Sequence, residues 1–328
     1  MLNLRCPNCL NQVIPKSEDS LYCDQCSKSY PVLLGIPDLR KNPPKESELE
    51  RNLIQMLASS FTSSSFEELL HIRMTFAPTS GDLLGHEIAY INVQEDRGRR
   101  MIDMFHQRLE DIDWEADPNG LALDLGCGTG GSLMTLSDKF EHVLGVDPSL
   151  PSLIIAKKAL EDQNRKNVLL VQACGQVLPI QDSSVNFLSA LNTLEHIYEF
   201  DAVFGECHRV LHSGGAFCGD SRNRYDLFSP EPHVKLMWVG YLPRVWTKGY
   251  VRFRRDVSYD STYLLSYNDI LMSLRKHGFR KFKITYPLIS AYQKPAWMDT
   301  LLSIIERIPV VSRLVIQVFP SHLVLAVR

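Results

Sequence analysis

From Leu121 onward, short apolar runs alternate with amphipathic stretches. Leu121–Asp124, His142–Asp147, Val168–Ala173, Phe187–Leu191 and Ala216–Asp220 have the length and character of buried strands. Helical spacing separates them, as in Phe200–Leu211, which Ser213-Gly-Gly215 is expected to stop as a glycine C-cap. This alternation predicts an α/β fold with a parallel sheet and helices on both faces. Toward the C-terminus the pattern predicts a helix over Tyr267–His277, a strand over Arg280–Tyr286 and a closing strand over Leu323–Val327. Upstream, Leu49–Ala58 has helical spacing, the serine-rich stretch Ser59–Ser65 breaks it, and Tyr90–Leu109 reads as a further amphipathic helix. Lys41–Ser47 is a polar, proline-bearing linker. No internal repeat is present.

One stretch fits neither pattern. Trp297–Phe319 is strongly apolar, but Asp299, Glu306, Arg307, Pro309 and Arg313 interrupt it, so it is not a membrane span. It reads as core packing, a dimer contact, a lid over an apolar acceptor, or a lipid-facing amphipathic surface. The 328 residues, 45% of them hydrophobic, suffice for a substantial core. A net charge of −3 provides no global attraction for nucleic acid or anionic membrane. The first residues lack the apolar core of a signal peptide, and a cytoplasmic location is expected.

The chemistry concentrates in Leu121-Ala-Leu-Asp-Leu-Gly-Cys-Gly-Thr-Gly-Gly131, where an apolar strand ends in a carboxylate and opens into four glycines. Glycines at a strand-to-helix turn permit positive φ and close approach of a ligand. Gly126, Gly128 and Gly131 have dinucleotide-fingerprint spacing, and Asp147 follows where a ribose-binding acid belongs. Asp124 argues against a dinucleotide, because a carboxylate at the strand tip repels a pyrophosphate. S-adenosylmethionine (SAM) carries an ammonium and a sulfonium instead, and attraction replaces repulsion.

These residues, with the later Asn192-Thr-Leu-Glu-His196, resemble the class I SAM-dependent methyltransferases of the type 11-like branch. The resemblance covers Tyr90 to Arg222 and continues more weakly to Arg328. It implies a Rossmann-like seven-stranded sheet with an antiparallel closing strand inserted beside the sixth. It places the SAM loop at Asp124, Gly126, Cys127, Gly128 and Gly130, and the ribose-binding acid at Asp147, followed by Pro148. Two hydrogen bonds accepted by that carboxylate contribute about 1.5–3 kcal/mol each. Cys174 and Gly175 fall at the adenine, and Asn192 borders the crevice. Relatives usually have an acid where this chain has Cys174 and an aspartate where it has Asn186. His196 is the candidate general base for a hydroxyl or protonated amine, the alternative being a loop-ordering histidine.

Cys6-x-x-Cys9 and Cys23-x-x-Cys26 are two knuckles separated by thirteen residues, the spacing of a four-cysteine zinc site. A disulfide pair and a thioredoxin-type motif are the rival readings. About forty residues bury little core, and a metal is the usual staple. The segment through Pro37 resembles the zinc ribbons of small methyltransferase-activator proteins. The chain thus divides into a ribbon (1–40), a linker with a helical extension (41–89) and a methyltransferase domain (90–328). The last carries a substrate insert at 221–260 and an apolar insert at 289–320.

Arg222, Tyr225 and His233, in the insert after the fifth strand, are the candidate acceptor-binding residues. Arg244, Lys248, Arg252, Arg254 and Arg255 form a basic run that reads either as a phosphate-gripping patch or as a solvated surface. The expected activity is SAM-dependent methylation of a small-molecule or glycan/lipid-linked acceptor, on oxygen. The alternatives are an RNA methyltransferase that uses ribbon and basic run, and a SAM-binding module or activator without turnover. Peripheral membrane contact remains open.

Overall fold

The computed structural model describes residues 3–76, 94–112, 114–260, 262–288, 295 and 297–328. Among these, β5 (Leu121–Leu125), β6 (His142–Asp147), β7 (Val168–Gln172), β8 (Val185–Ala190), β9 (Leu211–Arg222), β10 (Lys281–Thr285) and β11 (Ser321–Val327) form a seven-stranded sheet in the order β10-β11-β9-β8-β5-β6-β7. β5 to β9 pair in parallel, while β11 runs antiparallel between β9 and β10. This is the topology that the resemblance implied. β5 is buried along its whole length, so its run of leucine and alanine serves the two faces that helices cover.

Two predicted element ends shift for physical reasons. The helix before β9 covers Phe200–Val210, and Leu211 is already extended and begins the strand. Ser213-Gly-Gly215 therefore does not cap the helix. Gly214, at φ 87°, instead makes an irregularity early in β9, where its carbonyl accepts Trp114 Nε1–H at 3.0 Å. Upstream, the serine run is more than a breaker. The first helix extends through Glu48–Ser60, and Ser65 N-caps the next, Phe66–Thr75, in a capping box with Glu68. The predicted helix from Tyr90 is described from Gln94 to Leu109, and Tyr90 itself lies outside the described residues, as do 77–89 of the extension and 289–294 of the apolar insert. No helix among the described residues is long and apolar enough to cross a membrane.

The N-terminal segment forms a small antiparallel sheet in sequence order, from β1 (Ile14–Ser17) through β2 (Ser20–Cys23) and β3 (Lys28–Leu33) to β4 (Ile36–Pro37). It does not stand apart from the large sheet. Leu39 N–H donates to Gln172 O at 2.8 Å, Asp38 bridges Gln172 in parallel, and Arg5 N–H donates to Pro179 O at 2.8 Å. Leu4, Val13, Tyr30 and Leu39 join one buried cluster with Val171, Ala173, Leu178 and Ile180. The small sheet thereby covers the edge that β7 would otherwise leave open.

Leu39 is fully buried at this junction, so Leu39→Ala is expected to lower unfolding stability by about 2–5 kcal/mol in urea titration. A loss within experimental error would show that the small sheet rests on β7 without supporting it.

Candidate functional site

The site lies at the carboxyl ends of the parallel strands, where the glycine loop leaves β5. Gly126, Gly128 and Gly130 all have positive φ, at 74°, 53° and 92°. Close packing adds a second demand, because a Cβ on Gly126 would meet Thr193 Oγ1 at 2.3 Å. The loop amides turn inward. Gly126 and Cys127 N–H donate to Val146 O at 2.8 and 3.2 Å, Gly130 N–H donates to Cys127 O at 2.9 Å, and Gly128 N–H donates to Asp147 Oδ2 at 2.9 Å. A carboxylate thus closes the loop where a dinucleotide site offers an open amide.

Asp147 is held at the tip of β6 by that bond and by Ser149 N–H, which donates to Oδ1 at 2.8 Å. Each oxygen keeps a lone pair for a hydroxyl. Burial raises its pKa, against the two backbone N–H bonds and the Arg73 charge. Asp124 is buried beneath the loop and accepts hydrogen bonds from Ser132 and, at 2.6 Å, from Ser189. Burial pushes its pKa up to about 6. Asp124 therefore props the loop and its helix from below rather than reaching directly into the crevice. Cys127 is buried as well, and burial pushes its thiol well up.

The helix Gln94–Leu109 covers the loop from the other side. It approaches so closely that a Cβ on Gly98 would fall 2.5 Å from Gly131 O. Gln94 Nε2 donates to Thr129 O at 3.1 Å, and its Oε1 accepts the Thr129 hydroxyl. Between this helix, the loop and Leu191–Asn192 lies a cavity of about 170 Å³. Asn192 reaches it in a left-handed turn, φ 48°, with its N–H on Asp220 Oδ1 at 2.8 Å. Pro148 contributes its carbonyl to Gln172 Nε2 at 3.0 Å. Cys174 and Gly175 follow β7, where burial raises the Cys174 thiol pKa and Gly175 packs against Leu125. Asn186, the departure on β8, is structural: its Oδ1 accepts Leu121 N–H at 2.9 Å, and its Nδ2 lies 2.8 Å from His212 Nε2.

A second group of side chains gathers where the acceptor was expected. His196 ends a short 3-10 turn, Leu194–His196, and its ring meets that of His233 edge-on with centroids 5.1 Å apart. His233 Nδ1 lies 2.5 Å from Glu231 Oε1, a contact that raises the histidine pKa against the opposing effect of burial. Glu195 is buried beside them, and burial, then the Asp220 charge, push its carboxyl up to about 7. The sequence named His196 and His233 for different tasks, and the fold puts them together. Arg222 donates to Ser321 Oγ at 3.2 Å while its charge acts on both Glu195 and His233, and the Tyr225 ring meets that of Tyr241 at a tilt with centroids 5.3 Å apart. Sequence reasoning passed over Gln94, Ser132, Ser189, Glu195 and Glu231, because each is a common residue type that acquires its role from a neighbour distant in the chain.

The four N-terminal cysteines also converge. All four sulfurs lie within 4.8 Å of one another, with Cys6–Cys26 at 3.8 Å and Cys9–Cys23 at 3.6 Å. The residues just after each knuckle, Leu10 and Ser27, both have positive φ, at 59° and 51°. Asn8 Nδ2 donates to Tyr30 Oη at 2.8 Å, which leaves the Tyr30 proton for Cys6 Sγ at 3.0 Å. Asn11 Nδ2 donates to Cys9 Sγ at 3.5 Å.

Residues 123–219 match the model of the methyltransferase domain family. Among curated proteins, the chain is 25% identical over 130 residues to an uncharacterised methyltransferase of Bacillus subtilis, a match covering 40% of this chain and 49% of that protein. It is 34% identical over 103 residues to demethylmenaquinone methyltransferase of Lactococcus lactis, covering 30% and 41%. The chain thus spans less than half the length of these relatives. Among solved structures, phosphoethanolamine N-methyltransferase 2 of Haemonchus contortus with bound SAM aligns at a TM-score of 0.47 and 17% identity, over 69% of this chain and 52% of that one. The matched segment carries the glycine loop and Asp147 described above, and its likeness is to a methyltransferase domain.

The Glu195 carboxyl gives a pH signature. A folded pKa of about 7 against an ordinary 4.5 means that its contribution to stability is present below about 4.5 and lost as pH rises through 7. Glu195→Gln is therefore expected to gain melting temperature relative to the parent as pH increases from 5 to 8, with little difference at the acid end. A pH-independent offset in thermal scans would place Glu195 in a solvated setting.

Proposed function

We propose that this chain transfers a methyl group from SAM to oxygen of a small-molecule or glycan/lipid-linked acceptor, and that the four-cysteine cluster holds a structural zinc ion. The observation that carries the reading is the closed glycine loop. With Gly128 N–H on the Asp147 carboxylate, the loop offers negative charge and hydroxyl acceptors rather than the amide cradle a pyrophosphate needs.

Bound in the crevice, SAM supplies an electrophilic methyl on sulfur, whose displacement leaves a neutral thioether. Asp147 would accept hydrogen bonds from the ribose hydroxyls, while Asp124, tied to Ser132 and Ser189, keeps loop and helix in register. Asn192, fixed by Asp220, borders the path to the acceptor side. Alignment is the main requirement of an in-line displacement. A hydroxyl acceptor must also lose its proton, and the histidine pair offers a place for it. Glu231 orients His233 and stabilises its protonated form, with His196 against the same ring. The RNA reading draws less support. Arg244 is paired with Asp269 at 3.0 Å, Lys248 with Asp260 at 2.6 Å, and Arg255 donates to the carbonyls of Val234 and Lys235, so three cations of the basic run serve the fold.

Titration calorimetry with S-adenosylhomocysteine is expected to give micromolar binding that falls at least about tenfold in Asp147→Ala, roughly the value of one charge-assisted hydrogen bond. NADH is the control. Preference for NADH, or indifference to Asp147, would overturn the cofactor assignment.

The zinc reading rests on sulfur geometry. Zinc–sulfur bonds of about 2.3 Å in a tetrahedron require sulfur–sulfur edges of about 3.8 Å, and the two measured pairs have that spacing. Asn8, Asn11 and Tyr30 supply the outer hydrogen bonds that thiolate ligands need. Purified protein is expected to contain one zinc per chain. Chelation should lower the melting temperature and speed amide exchange first in residues 3–40. An unchanged melting curve after complete metal removal would eliminate a structural ion.

A further inference from the structure

The apolar insert is hydrophobic on both sides. Its two helices, Trp297–Glu306 and Pro309–Ile316, turn Leu302 and Ile316 inward onto the fully buried Tyr286 and onto Phe319. The inner side is fastened by Tyr286 Oη–H to Ser312 O at 2.9 Å and by Arg108 to Glu306 at 3.4 Å. The outer side is apolar as well. Trp297, Val310 and Leu314 are 65%, 71% and 68% exposed, and Leu301, Ile304 and Ile308 continue the surface. Exposed apolar side chains gathered on one surface mark an interaction site, and the inward side chains of the hairpin already have their partners.

The exposed charge within the described residues of the hairpin has one sign. Among the described residues of Trp297–Phe319, the exposed ionic side chains are Arg307 and Arg313, whereas Asp299 and Glu306 are half-buried and partnered. Exposed hydrophobes that share a hairpin with two exposed arginines and no exposed acid complement an anionic bilayer. Position supplies the second argument. The hairpin runs into β11, whose first residue, Ser321, pairs with Arg222 at the carboxyl end of β9. Asn223 Nδ2 donates to Gln317 O and Phe319 O at 2.9 and 2.8 Å, and Leu227 N–H donates to Val318 O at 3.2 Å. The next exposed hydrophobes, Leu227 and Phe228, adjoin that seam. The apolar surface is thus tied to the end of the sheet that holds the crevice.

We propose that the hairpin docks on the surface of an anionic lipid bilayer, without crossing it, and presents the crevice to an amphiphilic acceptor held in the lipid. The identity of the acceptor rests on the methyltransferase reading; the docking does not.

Flotation of the full-length, zinc-loaded chain tests this, with vesicles of phosphatidylcholine alone and of phosphatidylcholine with phosphatidylglycerol. Binding is expected to the anionic vesicles and to weaken with salt. Arg307→Gln with Arg313→Gln should weaken it roughly tenfold or more, and Ile304→Ser with Leu314→Ser, both exposed, should abolish it. S-adenosylhomocysteine binding, measured on the same preparations, should be unchanged in every variant. Its loss in the parent protein would sink the cofactor reading and leave the flotation result standing. Two results would overturn the docking proposal: no flotation with either vesicle, or a stable dimer by light scattering that Leu314→Asp converts to monomer.

Discussion

The structure turns on a short loop folded back over the ends of its own strands. β5 and β6 end side by side, and each delivers a buried carboxylate, Asp124 below the glycines and Asp147 against Gly128. Burying two acids so close together is costly unless each is hydrogen-bonded. The serines and backbone amides around them offset part of that cost, and burial still raises both pKa values. The result is a rigid, electronegative rim, and neighbouring elements adjust to it. The helix Gln94–Leu109 needs Gly98 to approach, Thr193 occupies the space a Gly126 side chain would fill, and Asn192 adopts a left-handed turn beside it.

Much of this was legible in the sequence, for identifiable reasons. Buried parallel strands read as unbroken apolar runs, so β5 to β8 were found within a residue or two of their ends. Glycine spacing and Asp147 marked the loop because positive φ leaves few other choices. What escaped depends on partners far along the chain. Asn186 looked like a lapse from a family pattern, yet it bonds the first amide of β5 and the His212 ring. Gly214 looked like a helix cap, because two glycines after a helix usually are, but β9 had already begun. Ser65 was one serine among several until its partner Glu68 gave it a capping role.

The acceptor side follows the same logic. His196, His233, Glu195 and Glu231 come from the end of β8 and from the insert after β9, and only the parallel sheet brings those segments together. Buried acids and a histidine of raised basicity are thereby gathered in one place. Its counterpart is the glycine loop, where hydrogen bonds hold Asp147 and Asp124. Two clusters of buried titratable groups thus lie at the carboxyl ends of the strands, one around the glycine loop and one around His233.

The seam between the small N-terminal sheet and β7 bears on how the protein can be handled and how it arose. An exposed strand edge is a template for the next molecule, and charged residues, bulges or a cover are the usual defences. Here the cover is the chain segment carrying Asp38 and Leu39. Cutting the chain after residue 40 to obtain a minimal catalytic unit would keep most of the crevice yet bare that edge, and the fragment would be prone to self-association. The cysteine-bearing segment thus closes a strand edge that would otherwise stand open to a second chain.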